Sequence, residues 1–389
     1  MSPPTNRESP LPEALREQMP ISETCIYLDH AAVAPITRPA ADAVCRWATQ
    51  SVQRGATVWP EWSKGVEQTR AAAARLIGAD PSEVTLVGNT TIGISLVAEG
   101  YPWQEGDNAV TLADEFPSNQ YPWLNLESRG VQTRRVPTDD GRLDLDRLDA
   151  ACDERTRIVS ISWVGYATGY RHDLATVAEI AHRHGALLFV DAIQGLGAFP
   201  LDVSQTPIDF LAADGHKWQL GPEGAGVLYV RREHLDRLRP WGVGWNSVAH
   251  SHDFTHIELD FKPSAERFEG GSQNMPGMLG LGASLSLLAQ LGVDNLAGQI
   301  LDVTDLAVRR LEAAGARVVS HREGEHRSGI VAFEFSGASP QAVRQHCLER
   351  GVVLSCRGGR LRISPHAYNT AEEIEQAVEV MREAADLQE

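Results

Sequence analysis

Two neighbouring stretches, "ALLFVDAIQG" (186–195) and "DFLAADGHKWQLGPEGAG" (209–226), decide how this chain folds. Each opens on a short apolar run of strand length and ends that run on an acidic residue, Asp191 in the first and Asp214 in the second. Strands apolar on both faces belong to a mainly parallel sheet covered by helices, and ligands gather where such strands end. Asp191 and the amide of Gln194 therefore leave the sheet together, while Lys217 follows Asp214 by three residues in a glycine-rich turn. The lysine is scarce as well as well placed. Of 35 basic residues only Lys64, Lys217 and Lys262 are lysines, so chemistry that needs an amine, which an always-protonated guanidinium cannot supply, has three candidates.

The alternation continues in both directions. "EVTLVG" from 83, "NAVTL" from 108 and "TRIVSISW" from 156 read as further strands, and "DLATVAEIAHRHG" from 173 as a crossover helix, which is the pattern of βαβ units. Near residue 260 the texture changes to helix-like "MLGLGASLSLLAQLG" and "LAGQILDVTDLAVRRLEAAG". Strand-like "GIVAFEF", "GVVLS" and "GRLRISP" follow, then a terminal helix "TAEEIEQAVEVMREAAD". The expected fold is α/β. A large domain over 23–260 is built on the parallel sheet and shares its N-terminal segment with a smaller α+β domain over 261–389. Residues 1–22, polar and proline-rich, are expected to form a flexible arm.

Composition narrows the function classes. A length of 389 residues suits a large domain plus a smaller one, and a net charge of −17 argues against nucleic acid or an anionic membrane as partner. No apolar run approaches the roughly 20 residues of a membrane span. Cys25, Cys45, Cys152, Cys347 and Cys356 are scattered without a C-x-x-C pair, which fits a reducing compartment and no structural zinc. With a polar N-terminus, the expected location is the cytoplasm. His250, His252 and His256 lack strict ligand spacing, so no metal is expected. "GLGAFP" and "GPEGAGV" each lack a residue that a nucleotide loop requires.

A third feature completes the chemistry. "VGNTTIGISLVAEG" (87–100) carries a strand into a helix through Gly88, Asn89, Thr90 and Thr91, and hydroxyls and free N–H groups at a helix start make an anion site. An anion site, an acid and a lysine along one sheet edge are what pyridoxal 5′-phosphate requires. The phosphate takes the helix start, the acid keeps the pyridine nitrogen protonated, and the amine forms the Schiff base.

"VDAIQG" followed by "DFLAADGHKWQLGPEGAGVLYV" resembles the class V aminotransferase superfamily, with its cysteine desulfurases, kynureninase and isopenicillin N epimerase-like enzymes. The likeness runs from "YLDHAAVAP" near 27 to "RISPHAYN" ending at 369. It implies a fold-type I homodimer whose active site lies near the subunit interface. The resemblance makes Lys217 the Schiff-base lysine, Asp191 the partner of the pyridine nitrogen and Gln194 a donor to the phenolic oxygen. Thr90, Thr91 and His216 match phosphate-site positions, Phe116 in "DEFPSNQYPW" the ring over the cofactor face, Ser272 in "RFEGGSQN" a group that reaches across the dimer, and Arg362 the clamp on the substrate α-carboxylate.

Two departures stand out. Desulfurases usually carry a serine where this chain has Asp214. Their nucleophilic cysteine also rides on a longer loop, here shortened to "SCRGG" (355–359), a segment expected to be too short for Cys356 to reach a substrate sulfur. The expected activity is transamination, epimerisation or C–S cleavage on an amino acid. A desulfurase proper and a non-catalytic pyridoxal-phosphate-binding protein are the alternatives.

Overall fold

The structure is a computed structural model, and residues 11–388 are described. Its centre is a seven-stranded sheet. In spatial order the strands are Val84–Val87, Gly226–Val230, Phe210–Asp214, Leu187–Asp191, Thr156–Ser162, Asn108–Leu112 and Gln132–Val136. Gly226–Val230 runs antiparallel to both its neighbours, and every other pairing is parallel. Most of these strands are buried along their whole length, which accounts for their unbroken apolar runs. The crossover helix Leu174–Arg183 is capped by Asp173, whose carboxylate accepts from the amides of Ala175 and Thr176.

One edge of the sheet gathers the chemistry. Val87 and Asp214 both stand opposite Gly226, and Ser162 stands opposite Asp191, so the strand ends at 87, 162, 191 and 214 share that edge. Asn89 caps the helix Thr90–Gly100 by accepting from the amide of Ile92. The first amides of that helix are left without intrahelical partners.

The smaller unit is an antiparallel sheet ordered Arg317–Val318, Val331–Glu334, Arg360–Ile363 and Ser355–Arg357. It is covered by Pro340–Glu349, Ala371–Asp386 and the second half of Val293–Ala313. The strand Ile26–Tyr27 pairs with Val352–Val353, so an N-terminal segment packs with this unit.

The domain boundary and the arm differ from expectation. Met275–Leu291 lies in the large core through Met278, Leu281, Leu285 and Leu288. The division between cores falls inside Val293–Ala313, where Leu296 and Ile300 join the large core while Val303, Ala307 and Leu311 join the small one. The change near 260 marks where strands give way to helices, not where one core ends. Residues 1–10 lie outside the described residues. From residue 11 the expected flexible arm is packed: Leu11 and Leu15 of the helix Leu11–Arg16, and Met19 beyond it, are buried in the large core. Arg16 also pairs with Glu373 at 2.7 Å. Three apolar side chains at helical spacing explain the docking.

No single helix among the described residues is long and apolar enough to cross a membrane. The bent pair Met275–Leu291 and Val293–Ala313 passes that test jointly, but it turns by 83° and contributes to both cores.

Candidate active site

A cavity of about 230 Å³ opens at the gathered strand ends. Eight of the nine residues nominated from the sequence line it: Thr90, Thr91, Phe116, Asp191, Gln194, His216, Lys217 and Arg362. Ser272 does not. It borders a separate cavity of about 340 Å³ together with Trp59, Trp62 and Trp245. Larger hollows lie elsewhere on the surface, one of about 580 Å³ beside Arg142 and His326, which holds neither the lysine nor the strand-end acid.

Lys217 is 8% exposed, and its ammonium nitrogen has no hydrogen-bond partner among the described residues. It stands 5.6 Å from the centre of the Phe116 ring. Burial pushes the amine down from 10.5 to about 8, opposed by the nearby Asp191 carboxylate, so a useful neutral fraction exists near neutral pH. Asp191 accepts from the amide of Ile193 through Oδ1 at 3.1 Å, and its other oxygen has no partner among the described residues. Burial pushes its carboxyl up to about 6.

Gln194 donates to Ala31 O and accepts from Trp218 Nε1, both at 2.9 Å, which fixes the amide on the cavity wall. Thr90 Oγ1 accepts from the amide of Asp214 at 2.9 Å, and Thr91 Oγ1 donates to Ser118 Oγ at 2.8 Å. Asp214 does not turn away from the site. Its Oδ2 lies 2.9 Å from His216 Nδ1, though neither that nitrogen nor Asp214 Oδ1 has a hydrogen-bond partner among the described residues.

Arg362 is almost wholly buried, at 1% exposed. Its guanidinium donates from Nε to Ser355 Oγ at 3.1 Å, from Nη1 to Tyr166 O at 2.6 Å and from Nη2 to Asp29 Oδ1 at 3.2 Å. Three of its five N–H groups are thus held and the fork is rigid.

Sequence reasoning missed Tyr166, Ser118 and Arg357, which also line the cavity, and Glu115 beneath it. Tyr166 meets Phe116 edge-on, with ring centres 5.3 Å apart. Glu115 accepts from the amide of Ser162 at 2.6 Å and from its hydroxyl, and burial pushes its carboxyl up to about 8. The stretch "DEFPSN" carries both Glu115 and Ser118, but only the fold shows which of its side chains face inward.

The fit to pyridoxal phosphate rests on unsatisfied groups. The Lys217 amine and the second Asp191 carboxylate oxygen, neither with a hydrogen-bond partner among the described residues, border one cavity together with the opening turn of a helix and an aromatic ring. A flat cationic ring with a carbonyl at one side and a phosphate at the other satisfies that donor and acceptor set. Lys217 would carry it, Asp191 would hold its ring nitrogen, and Thr90, Thr91 and His216 would face its phosphate. When bound, the cofactor supplies an electron sink for bonds at the amino-acid α-carbon.

The profile of the family described as aminotransferase class-V matches residues 26–377. The chain belongs to this family. A probable cysteine desulfurase of Methanothermobacter thermautotrophicus is 30% identical to it, over 96% of this chain and 98% of that protein. The solved cysteine desulfurase of Thermococcus onnurineus superposes with a TM-score of 0.87 at 27% identity, over 96% of this chain and 98% of the other. The fold is also that of a solved cystine C–S lyase, with a TM-score of 0.88 at 24% identity over 94% of this chain and 99% of the other. The protein is a fold-type I, pyridoxal-phosphate-dependent enzyme of class V that acts on an amino acid.

Cys356 is placed apart from this chemistry. The strands Ser355–Arg357 and Arg360–Ile363 form a hairpin closed by Gly358 and Gly359, at φ of +56° and +77°. Two consecutive left-handed residues make the tight two-residue turn that glycine favours. Along the strand Ser355 and Arg357 share one face and Cys356 takes the other. Its Sγ lies 3.2 Å from Pro340 O, its side chain packs on the small core, and burial pushes its thiol upward.

Proposed function

We propose that this enzyme breaks the carbon–sulfur bond of a cysteine-class amino acid by elimination, without passing the sulfur through Cys356. The observation that carries this reading is the two-residue hairpin turn, which leaves Cys356 on the face away from the Lys217 cavity. The sulfur substrate is suggested by the cysteine desulfurases among its relatives. A protonated thiol is also a poor nucleophile.

In this reading Arg362 grips the α-carboxylate and Phe116 covers one face of the site. Lys217, partly neutral near pH 8 because of its burial, takes the proton from the α-carbon. Asp191 would keep a proton on the cofactor's ring nitrogen. Sulfur capture by a thiolate leaves the carbon skeleton as alanine, whereas elimination leaves pyruvate and ammonia.

The test is to incubate holoenzyme with L-cysteine and with L-cystine and identify the carbon product, in wild type and in Cys356→Ser. Pyruvate with ammonia, at rates within about twofold in the two proteins, is expected. Alanine as the product, or loss of turnover in Cys356→Ser, overturns the reading.

The active form would be a homodimer. Supporting this, Ser272 stands away from Lys217 within one chain, and Phe254, Ile257 and Leu259 are 73%, 90% and 67% exposed on the segment 241–262, part of which borders the Ser272 cavity. Apolar exposure on that scale marks an interaction surface. Sedimentation should give a dimer mass in wild type and a monomer in Ile257→Asp/Leu259→Asp, while a monomeric wild type contradicts this.

A further inference from the structure

Arg357 is a second guanidinium on the wall of the Lys217 cavity, and nothing in the chemistry described so far uses it. It is half-buried, and its one recorded hydrogen bond is from Nη1 to the adjacent main-chain carbonyl of Cys356 at 2.8 Å. It has no carboxylate partner among the described residues. Its neighbours contrast with it: Arg360 pairs with Asp140 at 2.7 Å, and Arg362 with Asp29 at 3.2 Å.

The hairpin explains where Arg357 points. Ser355 stands opposite Arg362 and bonds to its Nε, and Arg357 lies two residues along the same face. Diagonal neighbours on such a ladder stand roughly 7–8 Å apart. The tight glycine turn beyond Arg357 leaves little slack for the segment to swing out. The cavity wall thus carries two cations side by side, one of them rigidly held and the other awaiting an anion.

We infer that Arg357 and Arg362 form a two-anion clamp, so that the preferred substrate carries a second anionic group on its side chain in addition to its α-carboxylate. The assignment rests on the reading that this site binds an amino acid through Arg362, and it names the substrate class within that reading. A sulfur substituent ending in a carboxylate or another oxyanion meets the requirement, and plain L-cysteine does not. A guanidinium held near its partner in a partly dried pocket favours an anionic ligand over its neutral isostere by roughly 10- to 100-fold.

The experiment measures binding, so it does not depend on which bond is cleaved. Holoenzyme is titrated with two isosteric pairs that differ only in side-chain charge, L-glutamate against L-glutamine and L-aspartate against L-asparagine, by following the cofactor absorbance. The acid is expected to bind at least about tenfold more tightly in one pair or both. Arg357→Met should bring that ratio close to one, and Arg357→Lys should keep part of it, which a merely structural residue would not do. Equal affinity within both pairs, including binding of neither member, overturns the inference. So does an Arg357→Met variant that weakens acid and amide alike, because Arg357 would then be gripping the α-carboxylate. If the charge preference holds while no pyruvate forms from any sulfur amino acid, the elimination reading fails and the clamp stands.

Discussion

Burial shifts both Lys217 and Asp191 toward their neutral forms. The amine drops from 10.5 to about 8 through burial, so between those values the unfolded chain binds more protons and stability rises with pH. Below about 8 the penalty is fully present. Lys217→Met should therefore stabilise the apo-protein at pH 7, on the order of 2 kcal/mol, with the gap closing as pH approaches 10, as read by urea denaturation at both values. A less stable variant at pH 7 would contradict the burial argument. Asp191 titrates near 6, and its carboxylate form is the one that can hold a protonated ring nitrogen. Cofactor affinity should fall as pH drops through 6 and become weak and pH-independent in Asp191→Asn. An affinity flat from pH 8 to 5 would refute that role. Both residues were legible because each ends a strand or follows one closely. Arg357 was not, since its role depends on alternation in a hairpin whose turn reads simply as a shortened loop.

At the scale of elements, the hairpin 355–363 and the stretch around Glu269 show what motif reading reaches and where it stops. The motif "RFEGGSQN" points to Ser272, yet the deeply placed residue of that stretch is Glu269. It receives Arg70 Nη1 at 2.5 Å and Nη2 at 3.0 Å, the amide of Leu86 at 2.7 Å and the hydroxyl of Thr85 at 3.1 Å. This carboxylate ties the helix Trp59–Leu76 to the sheet-edge strand Val84–Val87 and to the Ser272 segment. Glu269→Ala would leave the buried Arg70 guanidinium with only Glu67 and Val84 O as partners, and a loss of about 2–3 kcal/mol is expected, short of the cost of a wholly unpaired buried charge. Thermal unfolding reads this directly, and a shift of only a degree or two would show that Arg70 finds water instead. Nothing in the local pattern announces the pair, because Arg70 and Glu269 lie 199 positions apart and each resembles the many solvated charges around it.

Across the whole molecule, five of the seven sheet strands were readable because they are apolar on both faces, whereas the edge strand Gln132–Val136, polar and partly exposed, was not; the site was readable because parallel strands deliver their carboxyl ends to one edge. The split between cores was not, since Val293–Ala313 carries one continuous helical pattern while serving two cores in turn. The packed segment from Leu11 onward was hidden in the same way, its few apolar residues diluted by proline and charge. The arrangement brings Lys217 alone of the three lysines into the cavity with Asp191, whereas Lys262 pairs with Glu266 at 3.1 Å beside the Ser272 cavity. The account therefore turns on which lysine carries the cofactor. Borohydride fixation of the holoenzyme followed by peptide mass spectrometry should place the cofactor mass on Lys217, and Lys217→Ala should remove both the label and the yellow colour. Label on Lys64 or Lys262, or a Lys217→Ala protein that still fixes the cofactor, would contradict it.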